Sequence, residues 1–398
     1  MRISDKKTGT ARNFRSLRQS SDPLRIVIAG GGTGGHLFPG IAMAQEFMAG
    51  NPNNRLLFVG TGKPFETTAL SKAGFARKRI TSEGIKGRGL WNQTKSILKI
   101  PKGIFESVMI LRQFRPDLVI GVGGYSAGPL VAGAWLLGIK IVLHEQNILP
   151  GITNRILSRL ADRIYVSFDD TQTGLNPKKV LYTGNPVRKE ILQLAKNQKG
   201  FEIDDSKQKQ HFTILILGGS QGAHSINMAL LETMDKIKEK DKFFFIHQTG
   251  LNDETRVRNA YELYGMSCIV QAFFNDMARQ YQKADLVICR AGATTVAEIK
   301  AIGKSVIFIP FSFAADNHQV LNARSMEKAG AAEIILEEDL NAISLFERIN
   351  FYASSPDSLH KMASRAKDLG RPDAAETIVD DCYKLVRSAH NWDNEMME

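Results

Sequence analysis

The chain has 398 residues, of which 43% are hydrophobic and 23% charged, and this predicts a globular protein of about two to three domains. Its three cysteines are widely spaced and form no C-x-x-C pair, so the sequence indicates neither a disulfide framework nor a zinc site, and we expect a reducing, cytoplasmic location. The formal net charge of +11 is compatible with anionic membranes or phosphorylated substrates. No nucleic-acid-binding motif is present, and we predict no nucleic-acid partner.

The amino-terminal segment, residues 1–22, is basic and contains no apolar stretch, so it does not match a secretory signal. We predict a disordered tail here, with attraction to an anionic surface as the alternative. The most apolar stretch, residues 127–143, contains Pro129 and Lys140. It therefore predicts a buried helix that leads into a strand, and not a membrane span.

Strands and helices alternate through the first half of the chain. A β-branched run at residues 24–29 opens onto the glycine-rich loop Gly30–Gly35, and apolar residues at helical spacing follow from Leu37. A second strand is predicted at residues 55–59. Short strands separated by helices are typical of a parallel sheet with helices on both faces, and three more are predicted at residues 117–120, 141–143 and 163–166.

The same pattern restarts after a polar, charged linker at residues 197–210. A strand at residues 212–217 runs into a second glycine loop, Gly218–Ala223, and a helix follows with Ile226, Leu230 and Met234 on one stripe. This repeat predicts two doubly wound, Rossmann-like α/β domains that face a cleft. We place these domains at residues 23–190 and 191–370, followed by a helix at 371–398 that packs back toward the first domain. Further strands are predicted at residues 243–246, 269–271, 286–289 and 305–309.

The first glycine loop matches the dinucleotide fingerprint G-x-G-x-x-G, but the second strand ends without the acidic residue that would hold a ribose. A nicotinamide-binding domain is therefore disfavoured. What remains is a loop whose backbone N–H groups, with the helix N-terminus behind it, favour an anion, although a tight structural turn is the alternative. His36 follows the loop directly, and a histidine there is a candidate general base.

Polar residues also follow other strands. The segment His144–Asn147 leaves the predicted strand at 141–143, and Glu145 is the alternative to His36 as the base, if this is not simply a solvated loop. In the second loop, Ser220 and Gln221 would add side-chain donors for a leaving diphosphate, whose charge grows as the bond breaks. Glu298, early in a predicted helix, could accept ribose hydroxyls or complement the helix dipole.

A polar cluster at Asp316–Gln319 and Asn322 suits the recognition of sugar hydroxyls. The sequence contains no Walker A motif, no D-x-D triplet and no cluster with metal-ligand spacing. A leaving diphosphate would then be stabilised by the loops and by cations such as Arg188. We expect a reaction that needs neither a metal nor a cofactor.

In combination these motifs are highly specific. The chain resembles the bacterial family of UDP-N-acetylglucosamine:N-acetylmuramyl-(pentapeptide) pyrophosphoryl-undecaprenol N-acetylglucosamine transferases, and the resemblance covers residues 24–385. One departure is His318, where some relatives carry glutamine. The motifs that carry the resemblance are Gly31–His36, Gly123–Tyr125 with Gly128 and Pro129, His144–Asn147, Thr183–Arg188, Gly218–Ala223, Cys289 and Arg290 with Gly292, Glu298, His318 and Gln319, and Asn322 with Ala323.

The resemblance implies a two-domain glycosyltransferase fold and an inverting, metal-independent transfer from UDP-N-acetylglucosamine to the 4-hydroxyl of the lipid-linked acceptor, a step of peptidoglycan synthesis. His36 or Glu145 would deprotonate that hydroxyl. For the acceptor it implies contacts at Gly32, Thr33, Gly34, Tyr125, His144 and Asn147. For the donor it implies contacts of the Phe274 backbone with the uracil and of Glu298 with the ribose. Ser220, Gln221 and Arg188 would contact the diphosphate. The sugar would meet His318, Gln319 and Asn322, and further donor-binding residues would be Thr33, Gly34, Gly35 and Asn147.

A basic and apolar segment at residues 85–115 fits a lipid-linked acceptor. It predicts a peripheral patch on an anionic membrane, at the cytoplasmic face, although an ordinary amphipathic helix is the alternative. Other cell-wall synthesis proteins are possible partners. The basic residues are Lys86, Arg88, Lys95, Lys99, Lys102, Arg112 and Arg115, interleaved with Leu90, Trp91, Ile97, Leu98, Ile100, Ile104 and Phe105.

Three competing hypotheses remain. A glycosyltransferase of the same fold could use another acceptor, such as a diacylglycerol or a small aglycone. An oxidoreductase is disfavoured by the missing acidic residue. A binding module that tethers a cell-wall complex to the membrane would need no catalytic base, so loss of transfer in a folded His36 or Glu145 variant would argue against it.

Overall fold

The computed structural model describes residues 22–83, 99–171, 174–197, 211–219, 222–312 and 317–395. It divides into two compact units, one comprising Met1–Pro186 with Asp373–Glu398 and the other Val187–Pro372. Residues 1–21 of the predicted basic tail, linker residues 198–210 and residues 85–98 of the basic and apolar segment lie outside the described residues.

The first unit is built on a parallel sheet. Its strands are β1 (Arg25–Ala29), β2 (Arg55–Gly60), β3 (Ala76–Arg79), β4 (Leu118–Gly121), β5 (Lys140–Glu145), β6 (Arg163–Val166) and β7 (Val180–Tyr182). Its helices up to Pro186 are α1 (Gly34–Gly50), α2 (Pro64–Lys72), α3 (Ile100–Phe114), α4 (Ala127–Leu136) and α5 (Ile152–Leu157), with a 3₁₀ turn at Pro177–Lys179.

The strand order of this sheet is β3-β2-β1-β4-β5-β6-β7, and every pairing is parallel. The first strand, β1, therefore lies inside the sheet. Strands β2 and β3 are added on one side of it and β4 to β7 on the other, so the strand order reverses between β1 and β4. Side chains alternate across the sheet: Ile26 and Ile28 belong to one buried cluster, and Val27 and Ala29 to the cluster on the opposite face. Because both faces are covered, the central strands are continuous apolar runs.

The second unit repeats this plan. Its strands are β8 (Phe212–Leu217), β9 (Phe243–Gln248), β10 (Cys268–Gln271), β11 (Leu286–Cys289), β12 (Ser305–Phe308) and β13 (Glu333–Ile334). Its helices are α6 (Lys189–Asn197), α7 (His224–Met234), α8 (Glu254–Leu263), α9 (Met277–Lys283), α10 (Ala293–Ile302), α11 (His318–Lys328), α12 (Ala342–Ser354) and α13 (Pro356–Asp368), with a 3₁₀ turn at Lys240–Lys242. The parallel strand order is β10-β9-β8-β11-β12-β13.

The last helix, α14 (Ala374–Glu395), packs against the first unit. The Asn54 amide donates to the Tyr383 hydroxyl at 2.7 Å, and Tyr165 donates to the Asp381 carboxylate at 3.0 Å. Ile378 and Val379 complete the buried cluster on this face of the sheet. The carboxyl-terminal helix is thus part of the core of the first unit.

The two doubly wound α/β domains predicted from the sequence are confirmed. The strands that reasoning from the sequence missed are β3, β7 and β13, which are short and half-buried or exposed, so they lack the apolar run that identifies a central strand. The strand predicted at 141–143 extends through Glu145, so His144 and Glu145 belong to β5 and not to the loop after it. Among the described residues, no helix is both long and apolar enough to cross a membrane.

Candidate active site

The first glycine loop lies where the first sheet reverses direction, at the carboxyl end of β1. The backbone N–H of Gly32 donates to Glu66 Oε1 at 2.6 Å, and the N–H of Gly62 donates to Glu66 Oε2 at 2.9 Å. The Thr61 hydroxyl also donates to Oε1, at 3.0 Å. A Cβ at Gly31 would lie 2.5 Å from this carboxylate, so the loop needs glycine at that position. Part of its donor capacity is therefore used by the chain's own acid.

Glu66 is a residue that the sequence analysis missed. The fingerprint asks for an acid at the end of the second strand, whereas Glu66 comes six residues after β2, in the first turn of α2. Its position three residues into a helix that starts with Pro64 is a usable signal, because acidic residues are favoured in first turns. A cavity of about 140 Å³ adjoins Glu66 and is also lined by Arg77, Lys78 and Arg79.

A further glycine pair, Gly123 and Gly124, follows β4 and packs on the first loop. Both have positive φ, at 90° and 80°. A Cβ at Gly124 would lie 2.7 Å from the carbonyl oxygen of Gly31, and one at Gly123 would lie 2.9 Å from His36 Nδ1. The two loops can approach this closely only because neither residue carries a side chain.

His36, on the first turn of α1, belongs to a chain of hydrogen-bonded side chains. Its Nδ1 lies 2.9 Å from Gln146 Oε1, and Gln146 Nε2 lies 2.9 Å from His144 Nδ1. Burial lowers the pKa of His144 to about 4, helped by the nearby His36, although a hydrogen bond to the Gly184 carbonyl opposes the shift. His144 is therefore neutral at pH 7. Gln146 belongs to the predicted polar segment His144–Asn147, but the sequence analysis gave it no role of its own.

The carboxylate of Glu145 is almost fully buried and is surrounded by donors. Oε1 accepts from the N–H of Asn147 at 2.9 Å and from its side-chain amide at 3.4 Å. Oε2 accepts from the N–H of Gly151 at 3.0 Å and from the Asn154 amide at 2.8 Å. The carboxylate thus holds the loop between β5 and α5. Other predicted residues of this unit, Thr33, Gly35 and Tyr125, are exposed.

In the second unit the glycine loop follows β8, again where the sheet reverses direction. The predicted Ser220 and Gln221 lie outside the described residues. A Cβ at Gly222 would lie 2.6 Å from the Thr249 carbonyl oxygen, so the loop packs directly on the end of β9. The Gln248 amide donates to the Gly219 carbonyl at 3.1 Å and accepts from the Phe274 N–H at 3.0 Å.

Gln248 therefore links the second glycine loop to the segment at Phe274, which was predicted from the resemblance to contact the uracil. Sequence reasoning missed it because the predicted strand ended at Ile246, whereas β9 continues through His247 and Gln248. Polar residues at the end of an apolar strand were a usable signal. Beneath the loop, His247 Nε2 lies 3.0 Å from Asn227 Oδ1, and burial lowers the pKa of His247 to about 3 despite the charge of Asp253.

Glu298, in the second turn of α10, is buried in an ion pair. Arg188 Nε and Nη2 each lie 2.8 Å from Glu298 Oε1, and the Tyr281 hydroxyl donates to Oε2 at 3.1 Å. Burial opposes the charged form of Arg188, but the charge of Glu298 prevails and raises the pKa of the guanidinium. Burial, and then the charge of Glu298, raise the pKa of Tyr281 well above its usual range. Two residues predicted to contact different parts of the donor are therefore partners.

Arg290, which follows β11, forms hydrogen bonds with residues that follow β12 and β13 and with the start of α7. Its Nη2 donates to Ser225 Oγ at 2.8 Å and to Glu337 Oε1 at 2.5 Å, and its Nη1 donates to the carbonyl of Ile309 at 3.0 Å. Burial raises the pKa of Glu337, but the bonds from Ser225 and Arg290 outweigh this and lower it. The Arg290 guanidinium also lies 5.1 Å from the ring centre of Phe311.

The predicted sugar-binding residues begin α11. His318 and Gln319 are half-buried, and Gln319 Oε1 accepts from the Phe311 N–H at 3.1 Å. Asn322 is fully buried and donates its amide to the Ala291 carbonyl at 3.2 Å. Asp316 lies outside the described residues. Within the described ranges, no group of three or more His, Cys, Asp or Glu side chains is placed to hold a metal ion.

Two parallel α/β units, each with a glycine loop where the strand order reverses, form the GT-B fold of two-domain glycosyltransferases such as MurG. The chain belongs to glycosyltransferase family 28. The model of the family's N-terminal domain matches residues 26–166, and that of its C-terminal domain matches residues 213–378.

The chain is similar to curated proteins named UDP-N-acetylglucosamine--N-acetylmuramyl-(pentapeptide) pyrophosphoryl-undecaprenol N-acetylglucosamine transferase. The protein of Syntrophus aciditrophicus is 45% identical over 92% of this chain and 99% of its own length, and that of Geobacter sulfurreducens is 44% identical over the same shares. Among solved structures, MurG of Acinetobacter baumannii has a TM-score of 0.72 at 29% identity, covering 91% of this chain and all of that one. The resemblance noted from the sequence motifs is confirmed.

Proposed function

We propose that this chain transfers N-acetylglucosamine from UDP-N-acetylglucosamine to the 4-hydroxyl of undecaprenyl-diphospho-N-acetylmuramoyl-pentapeptide. The observation that carries the proposal is the similarity to transferases of that name over 99% of their length, at 44–45% identity. In this reaction the acceptor oxygen attacks the anomeric carbon of the donor, its proton passes to a base, and UDP leaves. A single displacement inverts the anomeric configuration and gives a β-1,4 link.

His36 is the base in this proposal. Among the described residues its Nδ1 is hydrogen-bonded to Gln146, and its Nε2 has no partner. Glu145 is less suited because each of its oxygens already accepts two hydrogen bonds, and proton abstraction would have to break this arrangement. In this mechanism Glu145 shapes the loop that carries Asn147, and it does not take the proton.

The donor is bound by the second unit. Glu298 would accept the ribose hydroxyls, oriented by Arg188 and Tyr281, and the backbone of Phe274 would meet the uracil. Ser220, Gln221 and Arg188 would stabilise the leaving diphosphate, with His318, Gln319 and Asn322 at the sugar. Thr33, Gly34, Gly35 and Asn147 are further proposed donor contacts. Gly32, Tyr125 and His144 complete the proposed acceptor site.

An anionic membrane is the proposed location of the acceptor. Phe105 and Met109 on α3, and Trp135 and Leu136 at the end of α4, are 54–66% exposed. The two helices pack closely: a Cβ at Gly133 would touch Ser107. The side chain of Lys102 is 67% exposed beside these apolar residues. Exposed aromatic and aliphatic side chains with neighbouring cations are typical of surfaces that enter the membrane interface.

The membrane proposal is tested with vesicles that contain anionic lipid. Replacing Phe105 and Trp135 by serine is expected to reduce sedimentation with the vesicles and leave UDP affinity unchanged, because both residues belong to the first unit and the proposed UDP site is in the second. Charge reversal at Lys99 and Lys102, together with Lys95, tests the electrostatic contribution. Unchanged binding by both variants would contradict the patch.

The transfer itself is tested with radiolabelled UDP-N-acetylglucosamine and a short-chain analogue of the lipid acceptor, with EDTA present. A labelled disaccharide-lipid is the expected product, and its formation with EDTA would also show that no free divalent metal is needed. If the chain binds the donor but makes no such product, the proposed lipid-linked acceptor is wrong, and diacylglycerol would be tested as the acceptor next. No donor binding would overturn the proposal as a whole.

A further inference from the structure

Gln146 is the central member of the hydrogen-bonded chain around His36. It follows β5 directly and is 1% exposed. Its Nε2 lies 2.9 Å from the carbonyl oxygen of Val122 and 3.2 Å from that of His144, as well as 2.9 Å from His144 Nδ1. Its Oε1 lies 2.9 Å from His36 Nδ1. A buried amide in such surroundings can have only one orientation.

The backbone carbonyls determine that orientation. A carbonyl oxygen can only accept a hydrogen bond, so the side of the amide that faces Val122 must be the NH₂ group. The amide oxygen therefore faces His36. Because this oxygen also can only accept, the hydrogen in the contact must be on His36 Nδ1. A neutral His36 then has its lone pair on Nε2.

His144 supports the same assignment from the other side. Its Nε2 lies 3.4 Å from the carbonyl oxygen of Gly184, another group that can only accept. Nε2 therefore carries the hydrogen, and Nδ1 accepts the second N–H of Gln146. The depressed pKa of His144 keeps it in this neutral form across the physiological range. The carbonyls of Val122 and Gly184 thus independently assign the same direction to each hydrogen bond that links His36, Gln146 and His144.

We infer that Gln146 is a positioning residue that holds His36 in the tautomer with a hydrogen on Nδ1, so that Nε2 is available to take the acceptor's proton. The inference rests on the proposed function for its catalytic consequence, but the tautomer itself does not depend on that function. Gly123 contributes, since a Cβ there would lie 2.9 Å from His36 Nδ1 and would displace the ring from Gln146.

The first test reads the tautomer on the unmodified full chain. Histidine labelled with ¹⁵N gives separate signals for protonated and unprotonated ring nitrogens, and the His36 signals are those lost in a His36→Gln variant among the eight histidines. Near pH 8 we expect a protonated Nδ1 and an unprotonated Nε2. The reverse pattern, or an equal mixture, would overturn the inference whether or not the chain transfers sugar.

The second test uses Gln146→Met, which keeps the length of the side chain and removes both hydrogen-bonding groups. We expect kcat to fall by about 10²-fold, the scale of a lost general base, while KM for UDP-N-acetylglucosamine stays within about twofold. The His36 signals should become a mixture of tautomers. Gln193→Met, at an exposed glutamine of α6, is the matched control and should behave as the unmodified chain does.

These outcomes separate the inference from the proposed function. If the unmodified chain transfers no sugar but shows the expected tautomer, the proposed function fails and the positioning role stands. If Gln146→Met changes the tautomer of His36 but keeps a normal kcat, the catalytic part of the inference is wrong. If the variant does not fold, the tautomer of the unmodified chain still decides whether Gln146 orients the ring.

Discussion

The carboxylate of Glu66 lies 2.6 Å from the backbone nitrogen of Gly32, so the first glycine loop donates a hydrogen bond to an acid of its own chain. Glycine loops of this kind are usually considered as cradles for a ligand's phosphate. Here a buried glutamate, 3% exposed, accepts hydrogen bonds from two backbone N–H groups and one hydroxyl. The shape of the loop is therefore stabilised by the protein itself.

Replacing Glu66 by glutamine is expected to destabilise the first unit. The amide NH₂ would face a backbone N–H at either Gly32 or Gly62, and a buried donor without an acceptor costs about 1–3 kcal/mol. Urea unfolding should show this loss, and the KM for the lipid acceptor should rise while UDP affinity is unchanged. Glu232→Gln, on an exposed part of α7, is the control. Wild-type stability in Glu66→Gln would mean that the loop does not depend on this acid.

His36→Gln and Glu145→Gln should fail in different ways. His36→Gln is expected to lower kcat by about 10²- to 10⁴-fold and leave thermal stability close to that of the unmodified chain, because it removes only the proposed base. Glu145→Gln replaces one of the two buried carboxylate oxygens, each of which accepts hydrogen bonds, by an NH₂ donor. This should lower the free energy of unfolding by about 1–3 kcal/mol. Transfer assays and thermal unfolding of both variants decide the matter. A stable, inactive Glu145→Gln protein, with an active His36→Gln protein, would make Glu145 the base.

The pair formed by Arg188 and Glu298 should be sensitive to removal of either partner. Arg188→Ala leaves the buried Glu298 carboxylate without its countercharge and is expected to cost about 3–5 kcal/mol. Tyr281→Phe removes one neutral donor from the same carboxylate and should cost only about 1 kcal/mol.

A double variant, Arg188→Ala with Glu298→Gln, provides the control for this pair, because it removes both charges together. It should be more stable than Arg188→Ala alone. Equal stability of these two proteins in urea would show that the buried charge is not the cause of the loss. UDP affinity, measured by calorimetry, should fall in the double variant, because it lacks the Glu298 carboxylate.

Stability should also depend on pH through two buried histidines. The pKa of His144 falls from 6.5 to about 4 and that of His247 to about 3, so each stays neutral when folded and gains a proton more readily when unfolded. Their contribution is complete above pH 6.5 and is lost progressively as the pH falls toward 4 and 3. With about 1.4 kcal/mol per pKa unit, each is worth on the order of 3–5 kcal/mol.

Urea midpoints measured at pH 7.5, 6 and 5 check this dependence. We expect the midpoint to fall at each step, and a His247→Asn variant to show a shallower fall than the unmodified chain. His360→Gln, at an exposed histidine of α13, controls for the substitution itself. A midpoint that stays constant over this range would show that neither histidine resists protonation in the folded chain.

The sequence alone was sufficient to predict the two-domain architecture, and it singled out His36, Glu145, Arg188 and Glu298 as candidate site residues. Central strands such as β1 and β8 are unbroken apolar runs because both faces of a parallel sheet are covered, and this makes them visible without coordinates. Glycine loops and polar segments after those strands follow from the need of backbone N–H groups to approach an anion. Edge strands such as β3 stayed hidden, because four exposed residues, Ala76–Arg79, have no apolar pattern.

The partners of these residues were decided by tertiary structure. Glu66 meets Gly32 across 34 positions, Gln146 meets His36 across 110, and Arg188 meets Glu298 across 110. Local periodicity shows which face of an element is buried but not which element will cover it. Whether a buried polar group acts as a base, stabilises a loop or forms an ion pair depends on its neighbours. Burial without a hydrogen-bonding partner is costly, so the partner determines the protonation and orientation of the group.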